Sequence, residues 1–284
     1  MDILEYYASQ SEFTDPGPFA EHYAGLPSSV EGICQTVSEV MLDFMDRWKH
    51  PIQNERWLET NIRYVDEMIE AIRLMDKKNP VIFYDHPDDA KMMASSSHFV
   101  ALAVSIMRAK GIPARKRAGY VSSGEFFKEY GIENKFMAYD VAEVYVDGQW
   151  KIVDVEGRGE TFIPVAQVYK NCRAGSDDAA LYYDDENNGI DAMIAVLIHD
   201  FDACAKAEML TWDRYGLMDK PVDEYTDDDW ALLDKVADLL INNDKDVDAI
   251  DALYKAEKRL QVSRIIFCDT PLVPPHKMVT RVIE

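Results

Sequence analysis

The run SSSHFVALAVSIMRAKGIPARKRAGY at 95–120 constrains the fold more than any other part of the chain. Serines cap helices through their hydroxyls, and here they precede Phe99, Leu102, Ala103, Ile106 and Met107 at helical spacing, so a helix is expected over Ser95–Lys110. Gly111-Ile112-Pro113 ends it, because glycine suits the left-handed C-cap and the residue before a proline disfavours helix. A strand over Ala114–Val121 follows, then a polar stretch, 122–136, of the kind that arches over a site. Two further strands, Met137–Val146 and Gln149–Val155, are joined by Asp147-Gly148, a strong hairpin signal.

Helical patterns flank this unit. Val30, Ile33, Val37, Val40, Met41, Phe44 and Trp48 recur at helical spacing behind Ser28-Ser29, as do Trp57, Ile62, Val65, Ile69, Ile72 and Met75 behind Asn54. The segment VIFYDHPDDA at 81–90 is a short apolar run stopped by His86-Pro87. Beyond Thr161, helices are expected at Val165–Cys172, Asp191–Tyr215, Asp227–Asn242 and Val247–Leu260, before a Pro-rich tail, PLVPPHK. The pattern predicts an α+β protein with an N-terminal helical segment, 1–80, a core, 81–160, and a C-terminal helical region, 161–284, packed on that core. No internal repeat or low-complexity segment occurs.

The formal charge of −22 repels nucleic acid and anionic membranes, since both bind through Lys and Arg neutralising phosphate, so neither is expected as a partner. No stretch approaches the roughly 20 apolar residues needed to span a bilayer. The start MDILEYYASQSEF lacks the basic and apolar parts of a signal peptide, and the chain reads as cytoplasmic. Cys34, Cys172, Cys204 and Cys268 lack CxxC spacing and fit small buried thiols. The acidic runs Asp184-Asp185-Glu186 and Asp227-Asp228-Asp229 stand beside turns or helix starts, where carboxylates suit the helix dipole. Asp244, Asp246 and Asp248 open like a calcium loop, but Ala249 stands where glycine is required and Lys255 where a bidentate glutamate is, leaving a helix start. No metal or cofactor is expected.

The segment from 91 to 157 resembles the core of the transglutaminase-like superfamily, the papain-related cysteine acyltransferases and proteases. The shared pattern is a residue opening a helix, the Gly-Ile-Pro-Ala-Arg break, a strand with a glutamate, and an aspartate after a tryptophan. The flanks SEFTDPGPFAEHYAGLP and AEMLTWDRYG resemble one bacterial branch, in which a cysteine pair stands where this chain has Ser95-Ser96. The resemblance implies a papain-like core, a helix packed on a small antiparallel sheet, with helical flanks at both ends. It puts the family's nucleophilic cysteine at Ser96, fifteen residues ahead of Gly111. It puts the histidine at Tyr139 when aligned on Glu143, or at Asp140 when aligned on the Asp147-Gly148 turn, and the aspartate at Asp154, four residues after Trp150.

The family's chemistry needs a thiolate, an imidazole to shuttle its proton and a carboxylate to orient the imidazole. A serine hydroxyl needs a base, and a tyrosine with an ordinary pKa of about 10 stays protonated near neutrality. An aspartate at 140, beside Asp154, gains no shuttle range either. On a helix, His98 lies about 200° around from Ser96 and is expected as a surface or core histidine, not a surrogate base. His86 belongs to a polar turn, and His199 is expected to hydrogen-bond locally. Ser96 is either a helix cap and inert remnant, a nucleophile, or a ligand contact. Glu143 shares a strand face with Tyr139, and with Asp140 and Trp150 it is a candidate for binding. Two function classes stand open. One is a member with a degenerate triad that binds a peptide, amide or amine-bearing ligand with little or no turnover. The other is a serine-variant acyltransferase, amidase or peptidase acting through Ser96, with Asp154 orienting a base.

Overall fold

The computed structural model describes residues 1–50, 52–122, 124, 128, 131, 133–159, 161–184, 187–270 and 273–281. Part of the 122–136 loop, Asp185, Glu186, the first two residues of the Pro-rich tail and the side chains of Trp48 and Asn54 lie outside the described residues. The chain divides into two compact units, one of 2–116 and 141–157, the other of Met1, 117–140 and 158–284.

The first unit opens with α1, Ile3–Ala8, whose cap Asp2 accepts from the N–H of Leu4 at 2.8 Å. Next comes α2, Val30–Val40, with Ser29 accepting from Gly32. The pattern predicts this helix to run on towards Trp48, yet it stops at Val40, because Met41–Asp43 form a strand, β1. The 3-10 turn Phe44–Lys49 follows, opened by the Asp43 carboxylate accepting from the Met45 N–H at 2.7 Å. The second predicted helix is likewise split. Asn54–Asn61 is 3-10, and α3 spans only Val65–Met75, because the Val65 N–H donates to the Phe13 carbonyl at 2.9 Å. In both cases the apolar spacing is helical, and tertiary hydrogen bonds override it.

A short strand β2, Met92–Ala94, pairs in parallel with β1 and leads directly into α4, Ser96–Ala109. The helix ends as its break predicts, with Gly111 at φ +75°. Then come β3, Ala114–Ser122, and β4, Phe136–Val146, each of which carries the chain from one unit into the other. The expected hairpin joins β4 to β5, Gln149–Val153, with Asp147 and Gly148 at φ +54° and +78°, the left-handed pair that a two-residue turn requires. Ile33, Val37, Met68, Ile72, Leu102, Ile106, Ala142 and Val144 belong to one buried cluster, so α2, α3, α4 and one face of β4 share a core.

In the second unit β6, Phe162–Pro164, pairs with β3, while β7, Tyr182–Asp184, pairs with the first residues of β4 and with β8, Asn187–Asn188. Helices α5, Val165–Arg173, and α6, Ile190–Cys204, follow, the latter buried along 192–204. This helix is enclosed on every side, its His199, Asp200 and Asp202 included, and α5 packs on it. The pattern predicts that helix to reach Tyr215, but it closes at Cys204, where Lys206 takes φ +66° and the Ala207 N–H returns to the Asp202 carbonyl at 2.8 Å. Strand β9, Asp213–Arg214, comes next, then α7, Asp227–Asn242, with a Thr226/Asp229 capping box, and α8, Val247–Ala256, capped by Asp246. Both acidic series are therefore helix starts. Finally β10, Ile265–Cys268, and β11, His276–Val279, complete a sheet in the order β11-β10-β9.

Among the described residues no helix is long and apolar enough to cross a membrane, and no disulfide links the four cysteines. Gly119 marks the tightest approach of β3 to β6. A Cβ there would lie 2.4 Å from the Ile163 carbonyl oxygen and 2.6 Å from the Phe162 ring. Replacing Gly119 with alanine is expected to destabilise the protein by about 1–3 kcal/mol in urea unfolding; an unchanged midpoint would mean that β6 yields freely.

Candidate active site

The start of α4 is buried. Ser95 is the N-cap and Ser96 the first helical residue, within the first turn as the resemblance implies. Two positions further on, His98 is fully enclosed. Ser95 presents its backbone N–H at 3.0 Å and its hydroxyl at 2.9 Å to Nδ1 of His98. A backbone N–H can only donate, so Nδ1 carries a lone pair and the ring is neutral with its proton on Nε2. Burial, with the positive fields of Arg63 and Lys116, pushes this imidazole down to about 3, against a weaker pull from the backbone of Ile62 and Thr60. His98 is the side-chain half of a helix cap.

Beside it the Lys116 ammonium donates to the Ser97 hydroxyl at 3.3 Å, both groups buried. The signal for Lys116 lies in the sequence: Arg115-Lys116-Arg117 is a run of basic residues inside an otherwise apolar strand, and such charges require partners. Arg115 is fully buried, and its guanidinium donates from Nε to Glu143 at 2.8 Å, with a second nitrogen 2.6 Å away. It lies 5.1 Å from the ring of Tyr7 and 5.5 Å from that of Trp150. Glu143 and Trp150 are thus brought together on one cation, enclosed by aromatic faces.

Asp154 follows β5 and is half-buried, with its carboxylate accepting from the Gly157 N–H at 3.2 Å. Its charge reaches Cys34 on α2: burial first, then Asp154, raises that thiol to about 11, so Cys34 is protonated and weakly nucleophilic. Tyr139 and Asp140 belong to the other unit. The Tyr139 ring is buried 6.0 Å from the Arg158 guanidinium, and Asp140 accepts from the Thr211 hydroxyl at 3.5 Å. By the two-residue period of β4, Asp140 shares the side of Ala142 and Val144, and Tyr139 that of Glu143. The remaining histidines singled out are structural. His86 Nε2 meets the Ile82 carbonyl at 3.0 Å, and His199 Nε2 meets that of Asp213 at 3.0 Å.

The buried Arg115–Glu143 pair is held by mutual attraction against a desolvation penalty on both ions. Glu143→Ala is expected to cost about 3–5 kcal/mol in chemical denaturation, because it strands a buried guanidinium. The double variant Arg115→Met, Glu143→Met should recover most of that loss. Additive losses in the two positions would refute the pairing energetics.

Residues 49–155 match the family model described as the transglutaminase-like superfamily. Neither a curated protein nor a solved structure matches the chain. The matched residues include the serine-opened helix α4, the Gly-Ile-Pro break, the β4–β5 hairpin and Asp154, and through them the chain carries a transglutaminase-like domain.

Proposed function

We propose that this is a transglutaminase-like protein with a degenerate triad, which binds a peptide, amide or amine-bearing ligand beside the start of α4 and turns it over weakly or not at all. The observation that carries the reading is the neutral, fully enclosed His98: the histidine nearest to Ser96 in sequence spends its acceptor nitrogen on the Ser95 cap and cannot take a proton near neutrality. Of the three family roles, Asp154 alone keeps its residue type, Ser96 stands for the thiol, and Tyr139 or Asp140 for the imidazole. The charge of −22 supports a setting away from nucleic acid and anionic membranes, in the cytoplasm of a bacterium as the flanks suggest.

One observation favours the serine-enzyme alternative. A lysine, Lys116, lies within hydrogen-bond reach of a serine at this helix start, although the serine is Ser97, one residue beyond the family position. The two readings separate in one assay. Purified protein, with Ser96→Ala, Ser97→Ala and Lys116→Met variants checked for unchanged thermal unfolding, is given p-nitrophenyl acetate and a glutamine peptide with an amine acceptor. The proposal expects hydrolysis and transfer at the background rate in all four proteins. Activity abolished by Ser96→Ala would overturn it, as would activity lost in Ser97→Ala and Lys116→Met alone, which would name that pair as nucleophile and base.

A further inference from the structure

The sheet β11-β10-β9 turns only one face inward. Ile266 and Cys268 are buried, whereas Ile265 and Val279, directly opposite each other in the register, are 56% and 67% exposed. Phe267 shares that outer face and is half-buried where the face runs into a cavity of about 280 Å³, walled by Asp191, Asp219 and Asp269. A second cavity, about 240 Å³, shares Asp191 and Asp219. Each cation lining these cavities is already paired: Arg214 with Asp184, and Lys220 at 2.7 Å with Asp229, a carboxylate it shares with Arg259. Asp191, Asp219 and Asp269 form no ion pair among the described residues. The outer face of β11 itself carries one cation, Lys277 opposite Phe267, so the uncompensated carboxylates are gathered at the cavity end of the surface.

An aliphatic surface costs free energy in water, and uncompensated carboxylates at its edge set the charge of what can cover it. We propose that this surface docks a basic, aliphatic-rich peptide segment of a partner protein. Its apolar side chains lie on Ile265, Phe267 and Val279, and a Lys or Arg side chain enters the cavity among Asp191, Asp219 and Asp269. The cavity is of side-chain size, and the long aliphatic stem of either residue suits the Phe267 wall while its head meets the carboxylates. An anionic lipid surface carries the wrong charge for this patch.

The test uses the whole protein and a fluorescein-labelled peptide alternating Ile or Val with Lys, together with its counterpart in which every Lys is Glu. Fluorescence anisotropy is expected to show the Lys peptide binding at least about tenfold tighter than the Glu peptide, an advantage that shrinks as salt rises from about 50 to about 500 mM. Asp219→Asn with Asp269→Asn should weaken the Lys peptide by about tenfold, and Ile265→Ser with Val279→Ser by a similar factor, with thermal unfolding unchanged because these side chains are at the surface. Equal binding of the two peptides, no binding of either, or affinities indifferent to both pairs of substitutions would overturn the proposal. So would sedimentation showing a dimer that Ile265→Ser with Val279→Ser dissociates, since the occupant would then be a second copy of this chain.

Discussion

The beginning of α4 depends on one nitrogen. Nδ1 of His98 accepts from the N-cap, Ser95, and it can do so only while the ring is uncharged. Three effects keep it so: complete burial, the positive fields of Arg63 and Lys116, and the positive end of the helix dipole at which it sits. The unfolded chain takes up a proton on such a ring near 6.5, the folded protein only near 3, so in that interval the unfolded state binds more protons and stability falls as pH falls. The same neutrality that holds the helix start removes the histidine nearest to Ser96 in sequence from acid–base chemistry. The fold-bearing and chemical demands on this position conflict, and the cap prevails.

A second constraint runs through β3. Alternation sends Arg115 and Arg117 to one side of the strand and Lys116 to the other, and each finds its partner within its own unit. Arg115 takes Glu143 between Tyr7 and Trp150, while Arg117 binds both oxygens of Asp200, at 2.8 and 2.9 Å, and also Asp244 at 2.9 Å. In a protein of net charge −22 these interior cations are matched by selected carboxylates, while the excess of acid is spread over helix starts and turns. Buried pairs of this kind add little net stability compared with apolar residues, but they penalise any strand register that would leave a guanidinium unpaired.

Much of this was legible in the residues themselves. The α4 unit, its Gly111 stop and the Asp147-Gly148 hairpin follow from local chemistry, because caps, breaks and two-residue turns are decided by a few adjacent side chains. Helices failed to extend as far as their periodicity suggests where long-range hydrogen bonds intervene, as at Val65 with Phe13, or where a β-pairing partner lies far along the chain, as for Met41 with Met92. At the candidate site, Ser96 at the start of the helix was readable from spacing. Lys116 and Arg115 were not singled out, although a basic run in an apolar strand was the visible sign of buried ion pairs. The role of His98 could not be read from its angle on a helical wheel, since its partner is the cap two residues before Ser97 and not a group across a cleft.

The account stands on the protonation state of His98, and an NMR titration of its ring carbon and nitrogen resonances tests this directly. Between pH 8 and pH 4.5, within the folded range, the account predicts flat chemical shifts with the proton on Nε2, since the ring is held down to about 3. A titration centred near 6.5, or a proton on Nδ1, would contradict it and return His98 to the list of available bases.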